Sequence, residues 1–245
     1  LCLATDELGS GLHLIFASRI KGIRGVGMQH GIFGRISPTI RYRKDEISSK
    51  GVEMGKCLLP DFMIVYGEHS KKTLVENHYS KDSVIVCGNP RLDVIFHKDR
   101  IYDKKETLGK YGIEGNKKIV TLATSRSENR FESLEIVEAV YESISKMNDV
   151  HLIHKLHPSE QEDVGKYRTM MKMLGINVTI LRENVDLYEI INASDVVISW
   201  LATSVVAESL AFGKPVITID LGAKMDFMEY KSEGVVINLD NKSHL

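Results

Sequence analysis

From Lys117 onward the chain alternates short apolar runs with stretches of helical periodicity, and this rhythm restricts the fold more than any other feature. Lys118 to Ala123 is apolar and ends in Thr124-Ser125-Arg126-Ser127, the pattern of a buried strand and its loop. Leu134, Ile136, Val137, Val140, Ile144 and Met147 then recur at helical spacing. His151 to Leu156 reads as a second strand, closed by His157-Pro158. A helix is expected from about Gln161 to Leu174, stopped at Gly175. Strands at 177–181 and 195–200 and helices at 187–192 and 203–212 continue the pattern. Further strands follow at 214–219 and 234–237. Strand–helix alternation with short joins implies right-handed crossovers and a parallel sheet, hence a doubly wound α/β domain.

The first third is less regular. Strands are expected at 1–4, 24–28, 61–66 and 83–86, with helices at 12–21 and 70–77. Four strands are fewer than the ~5–6 of an average sheet. The expected organisation is therefore a partial N-terminal α/β domain over 1–98, a polar linker over 99–116 and a second α/β domain over 117–245. The charged segment 36–56 reads as a loop over a site or an exposed excursion, with a basic strip of Arg41, Arg43, Lys44 and Lys50. That strip is either a solvated loop or a contact for acceptor phosphates or membrane lipid.

Composition narrows the function. The net charge is −1, so no polyanion-binding body and no nucleic-acid partner are expected. No apolar run approaches the ~18 residues of a membrane span. Cys2, Cys57 and Cys87 are too few and too scattered for a disulfide framework, which suits a reducing cytosol. Leu1 to Ala4 is too short for a signal peptide, so the three Asn-x-Ser/Thr sequons read as chance matches. Because the chain begins at Leu1 rather than Met, an excerpt of a longer protein is expected.

In open parallel sheets, ligands bind beyond the carboxyl ends of the strands. Four polar clusters fall there. Thr203 or Ser204 stands at a helix N-terminus after a buried strand, where free N–H groups and the helix dipole favour an anion. An ordinary N-cap is the other reading. Glu208, one turn on, is placed for a ribose diol or for plain solvent exposure. His157 can donate to a phosphate oxygen or be satisfied by the backbone. Ser125 and Arg126 form either a phosphate loop or a turn. In Gln29-His30-Gly31, His30 follows a strand of the first domain. Imidazole, with a free pKa of ~6.5, can take a proton from a hydroxyl at neutral pH. His151, His154 and His157 on one short strand are a poor tetrahedral set, and no metal is expected.

The order Gln29-His30-Gly31, Gly88-Asn89-Pro90-Arg91-Leu92-Asp93, His157-Pro158, Thr203-Ser204 with Glu208, and Gly213-Lys214-Pro215 resembles nucleotide-sugar glycosyltransferases of the GT-B fold. The likeness is greatest to surface-polysaccharide enzymes such as CDP-glycerol glycerophosphotransferases. Non-hydrolysing UDP-N-acetylglucosamine 2-epimerases share the fold and much of the motif order. The resemblance implies two α/β domains facing across a cleft, the first of them incomplete here. It implies a nucleotide-activated donor of UDP or CDP/CMP type, with no cofactor and no metal. It also implies a glycan or polyol-phosphate acceptor, and a cytoplasmic place at the inner face of the membrane with peripheral contact. Carried over by motif, Thr203 and Ser204 hold the diphosphate, Glu208 the ribose and His157 a phosphate, with Ser125 and Arg126 assisting. His30 is the base for the acceptor hydroxyl. The epimerases differ in carrying an acidic residue where Ile32 and Phe33 stand, and doubled glutamates where Glu208 is single. The expected activity is metal-independent transfer of a sugar or polyol-phosphate to a surface polysaccharide. An epimerase-like enzyme and a non-catalytic nucleotide-sugar binder are the alternatives.

Overall fold

The computed structural model describes residues 2–4, 10–32, 34, 40, 42–48, 56–124, 130–157, 164–201, 203–220 and 229–240. The chain divides into two units, Leu1–Arg91 and Leu92–Leu245. Among the described residues the strands form two sheets, one of four strands and one of six, and every pairing within them is parallel.

The first unit runs β1 (Cys2–Ala4), α1 (Ser10–Ile20), β2 (Gly25–Met28), β3 (Phe62–Val65), α2 (Glu68–Glu76) and β4 (Val84–Val86). The strand order β1-β2-β3-β4 advances in one direction. Right-handed crossovers therefore lie on one face. Met63, Val65, Leu74 and Val84 build the core with Ile40 and Tyr79. The glycines near β2 have a packing reason. A Cβ on Gly27 would sit 2.5 Å from Met63 Sδ and 3.0 Å from Pro60 Cγ. In the segment 36–56, Arg41 and Lys50 lie outside the described residues. Arg43 is engaged by its own turn: its Nε lies 3.0 Å from Glu46 Oε1. A parallel bridge pairs Ile47 with Cys57.

The stretch read as a linker carries α3 (Lys98–Ile101, which begins one residue before it) and α4 (Lys104–Lys110). Leu108 and Ile113 are buried against Ile119, Ile153, Leu181 and Ile190. Two lysines of this polar stretch are paired within the unit. Lys104 pairs with Asp195 at 2.8 Å and Lys110 with Glu189 at 2.8 Å. Burial by itself would raise the Asp195 pKa, but the Ile119 N–H and the Lys104 ammonium outweigh it and hold the carboxyl below its ordinary value.

The second sheet follows as β5 (Lys118–Ala123), α5 (Arg130–Ser145), β6 (Val150–Lys155), α6 (Val164–Leu174) and β7 (Val178–Leu181). Then come α7 (Leu187–Ala193), β8 (Val196–Trp200), α8 (Ser204–Ala211), β9 (Val216–Ile219) and β10 (Ile237–Leu239). The strand order is β10-β9-β8-β5-β6-β7. The chain moves outward from β5 to β7, then returns to β8 on the other side of β5. Right-handed connections put α5 and α6 on one face and α7 and α8 on the opposite face. The packing agrees. Val137, Val140 and Tyr141 of α5 and Tyr167 of α6 share a cluster with Leu122 and Leu152. Ile190 of α7 packs with Ile119 and Ile153, which point the other way along the same strands. Gly213 ends α8 with φ +73, the left-handed conformation that glycine adopts without strain.

Candidate functional site

β5 and β8 are neighbours, yet the segments leaving their carboxyl ends lead to helices on opposite faces. This is the topological switch point, where a doubly wound sheet opens a crevice for ligands. The paired registers Ala123↔Lys155 and Ala123↔Ser199 set the ends of β5, β6 and β8 level. Thr124, His157 and Thr203 therefore leave the sheet along one edge. Ser125, Arg126 and Pro158 lie outside the described residues.

Thr203 is the N-cap of α8, with extended backbone (φ −113°, ψ 151°), but its side chain makes no capping hydrogen bond. Its Oγ1 lies 3.1 Å from Trp200 O and 3.0 Å from Ser199 Oγ. Ser199 Oγ also lies 3.1 Å from Ala123 O. The Thr203 hydroxyl thus turns back toward β8 and β5. Of the two readings open in the sequence, side-chain capping is not the one this rotamer follows. Ser204, the first residue of α8, is exposed.

Glu208 is 3% exposed, which excludes a solvent-facing role. The Tyr188 hydroxyl of α7 donates to Glu208 Oε1 at 3.2 Å. His157 is exposed just past β6, where the Leu156 N–H donates to Leu181 O. Lys155, buried at the end of β6, donates through Nζ to Leu156 O at 2.7 Å and to Arg182 O at 3.0 Å. The other two histidines of this strand are engaged apart from each other. His151 Nε2 lies 2.9 Å from Thr179 Oγ1. His154 is fully buried between Tyr141 and Tyr167, with Nδ1 2.9 Å from the Tyr141 hydroxyl. Among the described residues no cluster of His, Cys, Asp or Glu could hold a metal ion.

In the first unit, Gln29 rather than His30 is the fixed member of its motif. Gln29 is 3% exposed; its Oε1 accepts from the Tyr66 N–H at 2.8 Å and its Nε2 donates to Gly31 O at 2.7 Å. The amide ties the ends of β2 and β3 together and leaves His30 exposed at the carboxyl edge.

Two residues escaped the reading of the sequence. Tyr188 carries no local signal, because its partner Glu208 lies on another helix. Asp220 was accessible to the strand-end rule, since it directly follows β9; it is buried, and its Oδ1 has no hydrogen-bond partner among the described residues.

Residues 58–242 match the sequence profile of the family described as UDP-N-acetylglucosamine 2-epimerase. The chain belongs to that family. No curated protein sequence matches it. Among solved structures it resembles the S. aureus MnaA–UDP complex, at 20% identity and a TM-score of 0.66 over 99% of this chain. It also resembles UDP-GlcNAc 2-epimerase from Neisseria meningitidis bound to UDP-GlcNAc, at 18% identity and a TM-score of 0.66 over 98% of this chain. The wall teichoic acid polymerase TagF is similar over 81% of this chain, at 14% identity and a TM-score of 0.53. At these identities the likeness is one of fold, and the fold is GT-B-like α/β. The chain spans 64% of the length of each of the first two proteins and 50% of TagF. No helix among the described residues is long and apolar enough to cross a membrane.

Proposed function

We propose that the second unit binds a nucleotide-activated donor, and that the protein transfers its sugar to a hydroxyl acceptor with release of the nucleoside diphosphate, or its polyol-phosphate with release of the nucleoside monophosphate. The observation that carries the reading is the carboxyl edge at the β5–β8 switch point. There the N-terminus of α8 is not capped by its own N-cap side chain, and the buried carboxylate of Glu208 stands one turn further on. The diphosphate accepts from the first N–H groups of α8 and from Ser204, with the helix dipole favouring its charge. The ribose diol donates to Glu208. His157, Ser125 and Arg126 add donors to the phosphates. These interactions stabilise the negative charge that develops on the departing nucleotide, so the chemistry assigned to the site asks for no metal. His30 takes the acceptor hydroxyl's proton as that oxygen attacks. The acceptor class we assign is a surface glycan or polyol-phosphate, met at the cytoplasmic face of the membrane.

Epimerisation at C2 of the sugar is the second reading, and the family membership favours it. Transfer is preferred because the sequence 29–33 offers His30 as its titratable group, followed by Gly31, Ile32 and Phe33. One base suffices for transfer, whereas moving a carbon-bound proton from one face of a ring to the other asks for further acid–base groups. Incubation with UDP-GlcNAc in D2O separates the two. Deuterium entering at C2 without acceptor, seen by proton NMR, would establish epimerisation and end the transfer reading. Release of UDP from UDP-GlcNAc, or of CMP from a CDP-polyol, only when a hydroxyl acceptor is added would support transfer.

Ser204→Asp tests the diphosphate site with two effects of opposite sign. A carboxylate in the first turn should favour α8 by ~0.3–1 kcal/mol. The same charge beside a diphosphate should weaken UDP or CDP binding tenfold or more. Melting without ligand should therefore hold or rise while calorimetric affinity collapses. Unchanged affinity would remove the diphosphate from α8. Glu208→Ala should weaken nucleoside diphosphate binding by about 1–3 kcal/mol. Equal affinity in calorimetry would take the ribose away from Glu208.

A further inference from the structure

We infer that a groove at the amino edge of the second sheet binds a neutral carbohydrate, away from the carboxyl edge assigned to the nucleotide. The groove offers about 400 Å3, within the range of small-molecule sites. It lies where β5, β6 and β7 begin and where α5 and α6 end. The six residues of β6 separate it from His157; at ~3.3 Å each, the two edges stand roughly 20 Å apart.

The lining points to the class of ligand. Glu114, Lys117, Asn148 and Asn177 line the groove, and among the described residues their side chains make no hydrogen bond or ion pair. They are one carboxylate, one ammonium and two amides, so donors and acceptors are both unspent while the formal charge balances. His151 adds no charge at neutral pH, because burial, and then the Lys117 ammonium, lower its pKa. Its ring is held in place, with Nε2 2.9 Å from Thr179 Oγ1. The C-terminal ends of α5 and α6 bring the negative end of the helix dipole to the same edge. With Glu114 they disfavour a polyanion such as a nucleotide, while Lys117 disfavours a cation. The apolar part of the lining is aliphatic. Ile113 and Ile144 are buried and Val150 is half-buried, and no Phe, Tyr or Trp stands among the described residues that line the groove. A nucleobase therefore finds no large ring to stack on. A pyranose fits better: its C–H face can lie on the aliphatic side chains. Its hydroxyls, each both donor and acceptor, can meet the carboxylate, the ammonium and the amides.

Proton–carbon NMR of the histidine rings reads the groove directly, with the His151 signal assigned from the spectrum of His151→Gln. Chitobiose, maltose and lactose are titrated at fixed pH, alone and with saturating UDP. The expected result is a saturable shift of the His151 signal with at least one of these disaccharides, unchanged by UDP. Asn148→Ala and Asn177→Ala, both at exposed positions, should each weaken that binding about fivefold, the worth of one hydrogen bond, with UDP affinity held within about twofold. No shift with any of the three sugars, or a shift abolished by UDP, would overturn the inference. Wild-type sugar affinity in both asparagine variants would overturn it too. The same shift produced by inorganic phosphate would make the groove an anion site instead. A protein that binds the disaccharide but not UDP would lose the nucleotide reading and keep this one.

Discussion

Acidifying the solution from pH 7 to pH 5 should cost the second unit about 2 kcal/mol of stability through His154 alone, and about 3 kcal/mol by pH 4. The imidazole is fully enclosed, and burial lowers its pKa from 6.5 to about 3. Its ring lies edge-on to Tyr141 and Tyr167, 5.8 and 4.8 Å away between centroids. Nε2 has no hydrogen-bond partner among the described residues, so nothing there would stabilise a second proton. Above pH 6.5 the ring is neutral both folded and unfolded, and the folded state carries no penalty. Below pH 6.5 the unfolded chain takes up a proton that the folded chain refuses until about pH 3. Stability attributable to this group is therefore lost as pH falls from 6.5 toward 3. His154→Gln keeps an acceptor for the Tyr141 hydroxyl and does not titrate. Urea unfolding followed by Trp200, the single tryptophan, should give a wild-type stability that falls about 2 kcal/mol more than the variant's between pH 7 and pH 5. Parallel pH dependences would show that the buried imidazole titrates normally.

Replacing His30 with alanine should lower turnover by ~10²–10⁴-fold, the usual worth of a general base, while nucleotide affinity stays within about twofold. The separation follows from where the residues lie. His30 leaves the edge of the first sheet, whereas Thr203, Ser204 and Glu208 belong to the second unit. Gln29 should hold the loop in place when the imidazole is removed, because its two side-chain hydrogen bonds run to backbone groups of Gly31 and Tyr66. Single-turnover rates and equilibrium nucleotide binding, measured on the same preparation, are the readouts. A wild-type rate in His30→Ala would end the base assignment. A parallel loss of affinity would mean that His30 serves the donor instead.

The alternation of apolar runs and helical periodicities placed most of the described strands to within two residues, although the last one, expected at 234–237, runs Ile237–Leu239. Buried parallel strands must be continuously apolar, and their crossovers must show one apolar face. β8, for example, was expected at 195–200 and runs Val196–Trp200. Charge-rich segments were harder to read. Residues 99–116 read as a polar linker, yet within the second unit Lys104 and Lys110 pair with Asp195 and Glu189, and Leu108 and Ile113 are buried in its core. Whether a charged stretch is solvated or paired depends on partners roughly 80–90 residues away, which no local pattern announces.

The candidate site divides in the same way. Strand ends could be found from local hydrophobicity, so His30, His157, Thr203 and Ser204 were each placed beyond a strand from the sequence alone. Their roles turn on side-chain contacts across the fold. Thr203 turns its hydroxyl toward β8, Glu208 is buried beneath a tyrosine of α7, and His154 is enclosed by two more tyrosines. Periodicity along the chain encodes which face of an element is apolar. Which groups meet across that face is decided only when strands and helices distant in sequence pack together.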